Sequence, residues 1–209
     1  INVETIVLNS DITLTDDLNL NQKTVDVNKH TISVGKSTED QSPFVLSNGT
    51  IVGKTITSGT NDGHMIKLYG GTIEDIDFIS QADAGGNIIA AAIIQYHVTG
   101  TSTIKGCSFT TDSAYSTFGA IQANGQANDE LLIEDCNFNG KGMVTIGQGT
   151  DVSIDNSENE YPVVLNLYAN LDNKVTITEG TPVSKTVVGW DSSNANVSSV
   201  PGDVSVSIS

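Results

Sequence analysis

Three hexapeptides, IEDIDF at Ile73 to Phe78, IKGCSF at Ile104 to Phe109 and IEDCNF at Ile133 to Phe138, are copies of one pattern, Ile-x-x-(Ile or Cys)-x-Phe. Alternate residues of a β-strand share a face, so the last two members of each copy point the same way. Successive copies then predict ladders of Ile, Cys and Phe. Around them runs a longer unit: a short apolar strand, a bend containing Gly or Asn, and a second strand that opens with Thr-Ile or a close equivalent. It reads FVLSNGTI from Phe44, MIKLYGGTI from Met65, IIQYHVTGTSTI from Ile93 and AIQANGQANDELLI from Ala120. It continues as MVTIGQGTDVSI from Met143 and, more loosely, VVLNLYANLDNKVTI from Val163. The starts lie 20 to 28 residues apart, which predicts a coil of variable loop length. Such a unit cannot bury its apolar face alone and must stack on its neighbours.

The composition agrees with this reading. Of 209 residues, 37% are hydrophobic and only 16% charged, so Thr, Ser, Asn and Gly make up the balance, a β-rich and turn-rich mixture that fits one domain. Helical patterning is nearly absent: the apolar run from Ile88 to Tyr96 follows Gly85 and Gly86, ends in a β-like IIQY, and reads as loop followed by strand. Asp and Glu number 25 against nine Lys, with no Arg, for a net charge of −16. That balance makes nucleic acid and anionic membrane poor partners and leaves self-repulsion, cation binding or docking onto a basic surface open. No run is long and apolar enough for a membrane span, and none reads as a signal peptide. The chain opens at Ile1, which suggests a processed protein or a sequence that begins partway through its gene.

The opening TIVLNSDITLTDDLNLNQKTVDVNKHTISVG, from Thr5 to Gly35, resembles the first coils of right-handed parallel β-helix proteins, the pectate-lyase-like superfamily that includes polygalacturonases and phage tailspikes. Thr24 to Ser33 stands where those proteins carry a TIDLNGHTIS-like segment, with Lys29 at a position where Gly is common. The resemblance extends to about Ile177. It implies an all-β, single-stranded right-handed parallel β-helix of about seven to eight coils, roughly 35 to 40 Å tall at about 4.8 Å per coil. Residues 1–180 are expected to form the helix, and 181–209, with the only Trp and a closing DVSVSIS, a C-terminal cap of the same domain.

Candidate chemistry is sparse. Cys107 and Cys136 fall in the same slot of adjacent copies, where parallel Cβ vectors suit a disulfide badly, so a buried, reduced pair is expected, with no cofactor and no metal. The carboxylates Asp75, Asp77, Asp112, Glu134 and Asp135 could supply the paired groups of a glycoside hydrolase, or simply a solvated acidic face. The lyases of the resembled superfamily use calcium-binding carboxylates with a basic proton acceptor, commonly Arg; here only Lys67 or Lys105 could replace it. His30, His64 and His97 read as bend or surface residues, and no GxSxG motif accompanies them. Sequons at Asn48 and Asn196 are expected by chance in so Asn- and Ser-rich a chain, and residues such as Asn48 and Asn124 suit amide ladders at bends. Trp190 reads as a core plug or interface anchor rather than a sugar platform.

These features point to a non-enzymatic structural protein with no catalytic residue. The resemblance supplies the viral character: a capsid decoration, head-fibre or tail-fibre module, on a virion surface or otherwise extracellular, expected as a homotrimer among other assembly proteins. A polysaccharide-binding or polysaccharide-degrading protein and a bacterial adhesin fragment are the alternatives. The expected assembly contacts lie where stacking does not need the chain: Ile1, Asn2 and Val3 at the start, Gln81 and Asp83 in one insertion, Tyr115 and Phe118 in another, and Trp190 in the cap.

Overall fold

Short β-branched runs broken by Asn, Asp and Gly form strands because each run has one face to bury and each breaker can turn the chain. The computed structural model describes residues 5–14, 20, 22–34, 43–54, 64–81, 91–96, 100–111, 120–125, 129–138, 143–146, 151–157, 163–167, 174–178, 181, 183–190, 196–197 and 205–208. Every regular element among them is a strand. In chain order these are β1 (Thr5–Val7), β2 (Ile12–Leu14), β3 (Thr24–Asp26), β4 (Thr31–Val34), β5 (Phe44–Lys54), β6 (His64–Leu68) and β7 (Gly71–Gln81). Next come β8 (Ala91–Tyr96), β9 (Thr101–Lys105), β10 (Ser108–Thr111), β11 (Ile121–Asn124), β12 (Glu130–Glu134), β13 (Asn137–Phe138) and β14 (Met143–Ile146). The last are β15 (Asp151–Asp155), β16 (Val163–Leu167), β17 (Lys174–Ile177), β18 (Val183–Trp190), β19 (Asn196–Val197) and β20 (Ser205–Ile208).

The strands pair almost wholly in parallel. One row runs β1-β3-β5-β7-β9-β12-β15-β17-β20, and a second sheet runs β6-β8-β11-β14-β16-β18-β19. A further set, β2, β4, the second halves of β5 and β7, β10 and β13, continues the first sheet around a corner. The antiparallel pair is β18 with β19. The first row holds nine strands, against the seven or eight coils expected, because Thr5–Val7 and Ser205–Ile208 both pair into it. Eight spacings of about 4.8 Å make that row roughly 38 Å long. In the C-terminal stretch β18 pairs in parallel with β16, β20 pairs in parallel with β17, and β19 pairs with β18.

The corner is made by single residues in the left-handed region. Asn48 (φ 60°) bends β5 and Asp75 (φ 52°) bends β7, while Gly106 (φ 61°) and Asp135 (φ 50°) separate β9 from β10 and β12 from β13. Asn28 and Lys29 (φ 53° and 64°) do the same between β3 and β4. Asn, Asp and Gly are the residues that tolerate this conformation, which is why the hexapeptides carry Asp or Gly at their third position. Lys29 shares the bend with Asn28, so this corner forms without a glycine.

The predicted ladders form the core. Ile73, Ile104, Ile133, Ile154 and Ile177 stand in register, all within 6% of complete burial. Phe78, Phe109 and Phe138 stack with ring centroids 5.2 and 5.3 Å apart. Cys107 and Cys136 are both buried and neither is in a disulfide, and each thiol donates to the same kind of partner: 3.3 Å to the carbonyl two residues back, Lys105 or Glu134, and 3.7 Å to the carbonyl of Ile73 or Ile104. The amide ladder takes another form from the one expected. Asn48 stands at the corner, where its Nδ2 donates to Asp26 Oδ1 at 3.1 Å, whereas Asn124 lies in the second sheet opposite Tyr96.

Candidate functional site

On the outer face of the corner one register column runs Asp26, Ser47, Glu74, Lys105, Glu134 and Asp155, its middle four residues each standing just before a bend. Two residues beyond the bend, Thr50, Asp77, Ser108 and Asn137 form another. Strand alternation puts polar residues here for the same reason that it puts Ile inside. The carboxylates singled out from sequence are therefore gathered on one ridge: Asp75 and Asp77 on β7, Glu134 on β12 and Asp135 at the bend after it. The two pairs are separated by β9, so their backbones stand two strand spacings, roughly 10 Å, apart. Asp112 lies outside the described residues.

The ridge acids are tied to neighbours rather than aimed at a common point. Ser108 Oγ donates to Asp77 Oδ1 at 2.5 Å, Lys105 Nζ lies 3.6 Å from Glu134 Oε2, and Asp26 Oδ1 accepts the Asn28 amide at 2.8 Å as well as the Asn48 side chain. Asp75 leans over Gly106, where a Cβ would come within 2.3 Å of its Oδ1. Lys105 and Glu134 keep 46% and 39% of their side chains exposed, so their ion pair contributes at most about 1 kcal/mol. Among the described residues, no three His, Cys, Asp or Glu converge as a metal site.

Among the described residues two clefts lie on the first sheet, and neither is lined by the carboxylates singled out from sequence. The smaller, about 210 Å³, is lined by Glu130, Asp151, Ser153 and Thr176 among others. Glu130 and Asp151 are register partners heading β12 and β15, and Glu130 Oε2 accepts from Thr101 Oγ1 at 2.8 Å. This pair was readable from the repeat, because each acid stands three residues before the ladder Ile of its strand. The larger cleft, about 490 Å³, lies at the starts of β3, β5 and β7 beside Thr24, Phe44 and Gly71, and is mainly apolar.

The histidines divide. His30 sits beside the corner with its Nδ1 3.4 Å from Asp11 Oδ1, as a bend residue should. His64 corrects the expectation: it lies in β6, 9% exposed, with Nε2 3.3 Å from Gln122 Oε1. The reason is that β6 is buried on both faces, which also leaves Lys67 only 8% exposed. His97 lies outside the described residues. Burial, with the neighbouring Cys107 adding to it, pushes the Cys136 thiol well above its ordinary value, so that Cys136 is a neutral core residue.

Of the expected assembly contacts, Gln81 ends β7 and Trp190 ends β18, where it pairs with Asn196 of β19. Ile1, Asn2, Val3, Asp83, Tyr115 and Phe118 lie outside the described residues. No known protein family, curated protein or solved structure matches the chain.

Proposed function

We propose that the chain is a single right-handed parallel β-helix that serves as a non-enzymatic structural module of a surface assembly. Its resemblance to the pectate-lyase-like superfamily favours a virion decoration, head-fibre or tail-fibre role, as a homotrimer among other assembly proteins. The repeated passage from the second sheet to the first between parallel strands supports the solenoid, and parallel crossovers are right-handed in nearly all known cases. The observation that carries the functional reading is the engagement of the ridge acids: Asp77 with Ser108, Glu134 with Lys105 and Asp26 with Asn48 each join one strand to the next. Their chemistry is structural, and the remaining negative charge keeps the exposed surface soluble. The test is fractionation of the source material with an antibody against this chain, beside incubation of the pure chain with a panel of polysaccharides. Recovery with assembled particles, with every polysaccharide intact, is expected. Recovery free of any assembly, with a polysaccharide cleaved, would overturn the reading.

A polysaccharide-degrading reading has one observation in its favour, the Glu130 and Asp151 pair in its cleft. Adjacent strands lie about 4.8 Å apart, close to the roughly 5 to 5.5 Å between the carboxyl groups of a retaining glycosidase. Loss of cleavage in both Glu130→Gln and Asp151→Asn would establish it; an inactive parent chain would dismiss it.

A further inference from the structure

The larger cleft, about 490 Å³, differs in charge from the smaller one and from the chain as a whole. The chain carries 25 acids against nine Lys, and Glu130 and Asp151 line the smaller cleft, yet no acid lines the larger one. The one charge in its lining is Lys23, half-buried, and among the described residues no carboxylate is ion-paired with that ammonium. Pro43, Phe44 and Val45 line its apolar part, and Gln22 and Thr24 are the neutral polar groups beside Lys23.

The cleft is built on paired backbone. It spans the starts of three neighbouring strands, with Thr24 opposite Val45 and Phe44 opposite Gly71. Gln22 N donates to Pro43 O at 3.0 Å and Val45 N to Lys23 O at 2.9 Å. Gly71 (φ 89°) closes one side at an approach that only Gly allows, since a Cβ there would collide with the Phe44 carbonyl. Concave, largely apolar sites with a few fixed polar groups are where small molecules bind, and a preformed site loses little freedom in binding them.

We infer that this cleft binds a small amphipathic anion, an apolar carboxylate such as a medium-chain fatty acid, with its tail against Pro43 and Val45 and its head at Lys23. The apolar lining selects the tail. Lys23 sets the sign of the head: a ligand ammonium would meet a like charge there, whereas a carboxylate meets the one cation of the lining. Gln22 and Thr24 add neutral donors for the same head. This site goes beyond the structural role proposed above and does not depend on it.

The test is titration calorimetry of the whole chain with decanoate, decanol and decylammonium, which share a tail and differ in the head. Decanoate is expected to bind one per chain, with decanol about fivefold weaker and decylammonium weaker still. Lys23→Gln should lower decanoate to the affinity of decanol, and Lys23→Glu should reverse the order so that decylammonium binds best. Val45→Asp, which sets a charge in the apolar lining, should abolish binding of decanoate and decanol. Circular dichroism checks that each variant keeps its β content. In the parent chain, decanoate should also shift the amide resonances of Lys23, Val45 and Gly71, a readout that needs no variant. Absence of decanoate binding overturns the inference, and so does equal binding of all three ligands, the mark of an unselective apolar surface. Decanoate that binds without shifting those resonances, or equally well to Lys23→Gln and Val45→Asp, sits elsewhere and overturns it too.

Discussion

At the bend after β12, one side chain takes both polar groups of the Cys136 peptide unit. Asn156 Oδ1 accepts the Cys136 amide at 2.7 Å and its Nδ2 donates to the Cys136 carbonyl at 2.5 Å, while Asn156 is wholly buried. Asn156→Ala would strand two buried backbone groups and is expected to destabilise by about 2–4 kcal/mol in urea unfolding. A change within about 0.5 kcal/mol, as for an ordinary surface substitution, would contradict the structure. Cys136 gives a second prediction at this scale. Its thiol pKa is raised in the folded chain, so the folded state holds its proton after the unfolded state has lost it. The resulting stability is complete below the unfolded value of about 8.5 and falls as pH rises above it, by up to about 1.4 kcal/mol per pH unit. Urea melts between neutral pH and pH 10 should show this decline in the parent chain and a shallower one in Cys136→Ala; equal slopes would contradict burial of the thiol.

Among the elements, the stacked phenylalanines hold the second side of the corner. Phe109 is the middle ring, nearly parallel to Phe78 and Phe138 at 5° and 7°. Phe109→Ala removes two ring contacts and opens a cavity, for an expected loss of about 3–5 kcal/mol by thermal or urea unfolding. Phe109→Leu should recover much of it, and an Ala variant as stable as the parent would refute the ladder. These ladders were legible in sequence because strand alternation is strictly local: Ile76 and Phe78 declare a shared face without knowledge of their partners, and Ile73 turns inward with them because the chain bends at Asp75. The corner at Asp75, Gly106 and Asp135 was not read from the sequence, because Asp and Gly suit a left-handed bend and an exposed strand position alike, and only the backbone shows which. Burial of His64 and Lys67 was not legible either, because the second face of β6 is covered by contacts distant in sequence. Nor did the pairing of β20 with β17 follow from local pattern, since DVSVSIS alternates equally well as a cap or as a further strand in the row.

Across the whole molecule, the central claim is that parallel strands are stacked at one spacing along a single row, so distance grows with the number of strands crossed. Thr24, Thr72 and Thr176 share one outward column on β3, β7 and β17, joined through Val45, Thr103, Leu132 and Ser153. Thr24 and Thr72 are two spacings apart, Thr72 and Thr176 four, and Thr24 and Thr176 six. Spin labels placed on these residues in pairs should therefore give separations of about 10, 19 and 29 Å by pulsed dipolar spectroscopy. Three distances in the ratio two to four to six are the result expected. A Thr24 to Thr176 distance no longer than that from Thr72 to Thr176, as folding into a sandwich would produce, would contradict the row and everything argued from it.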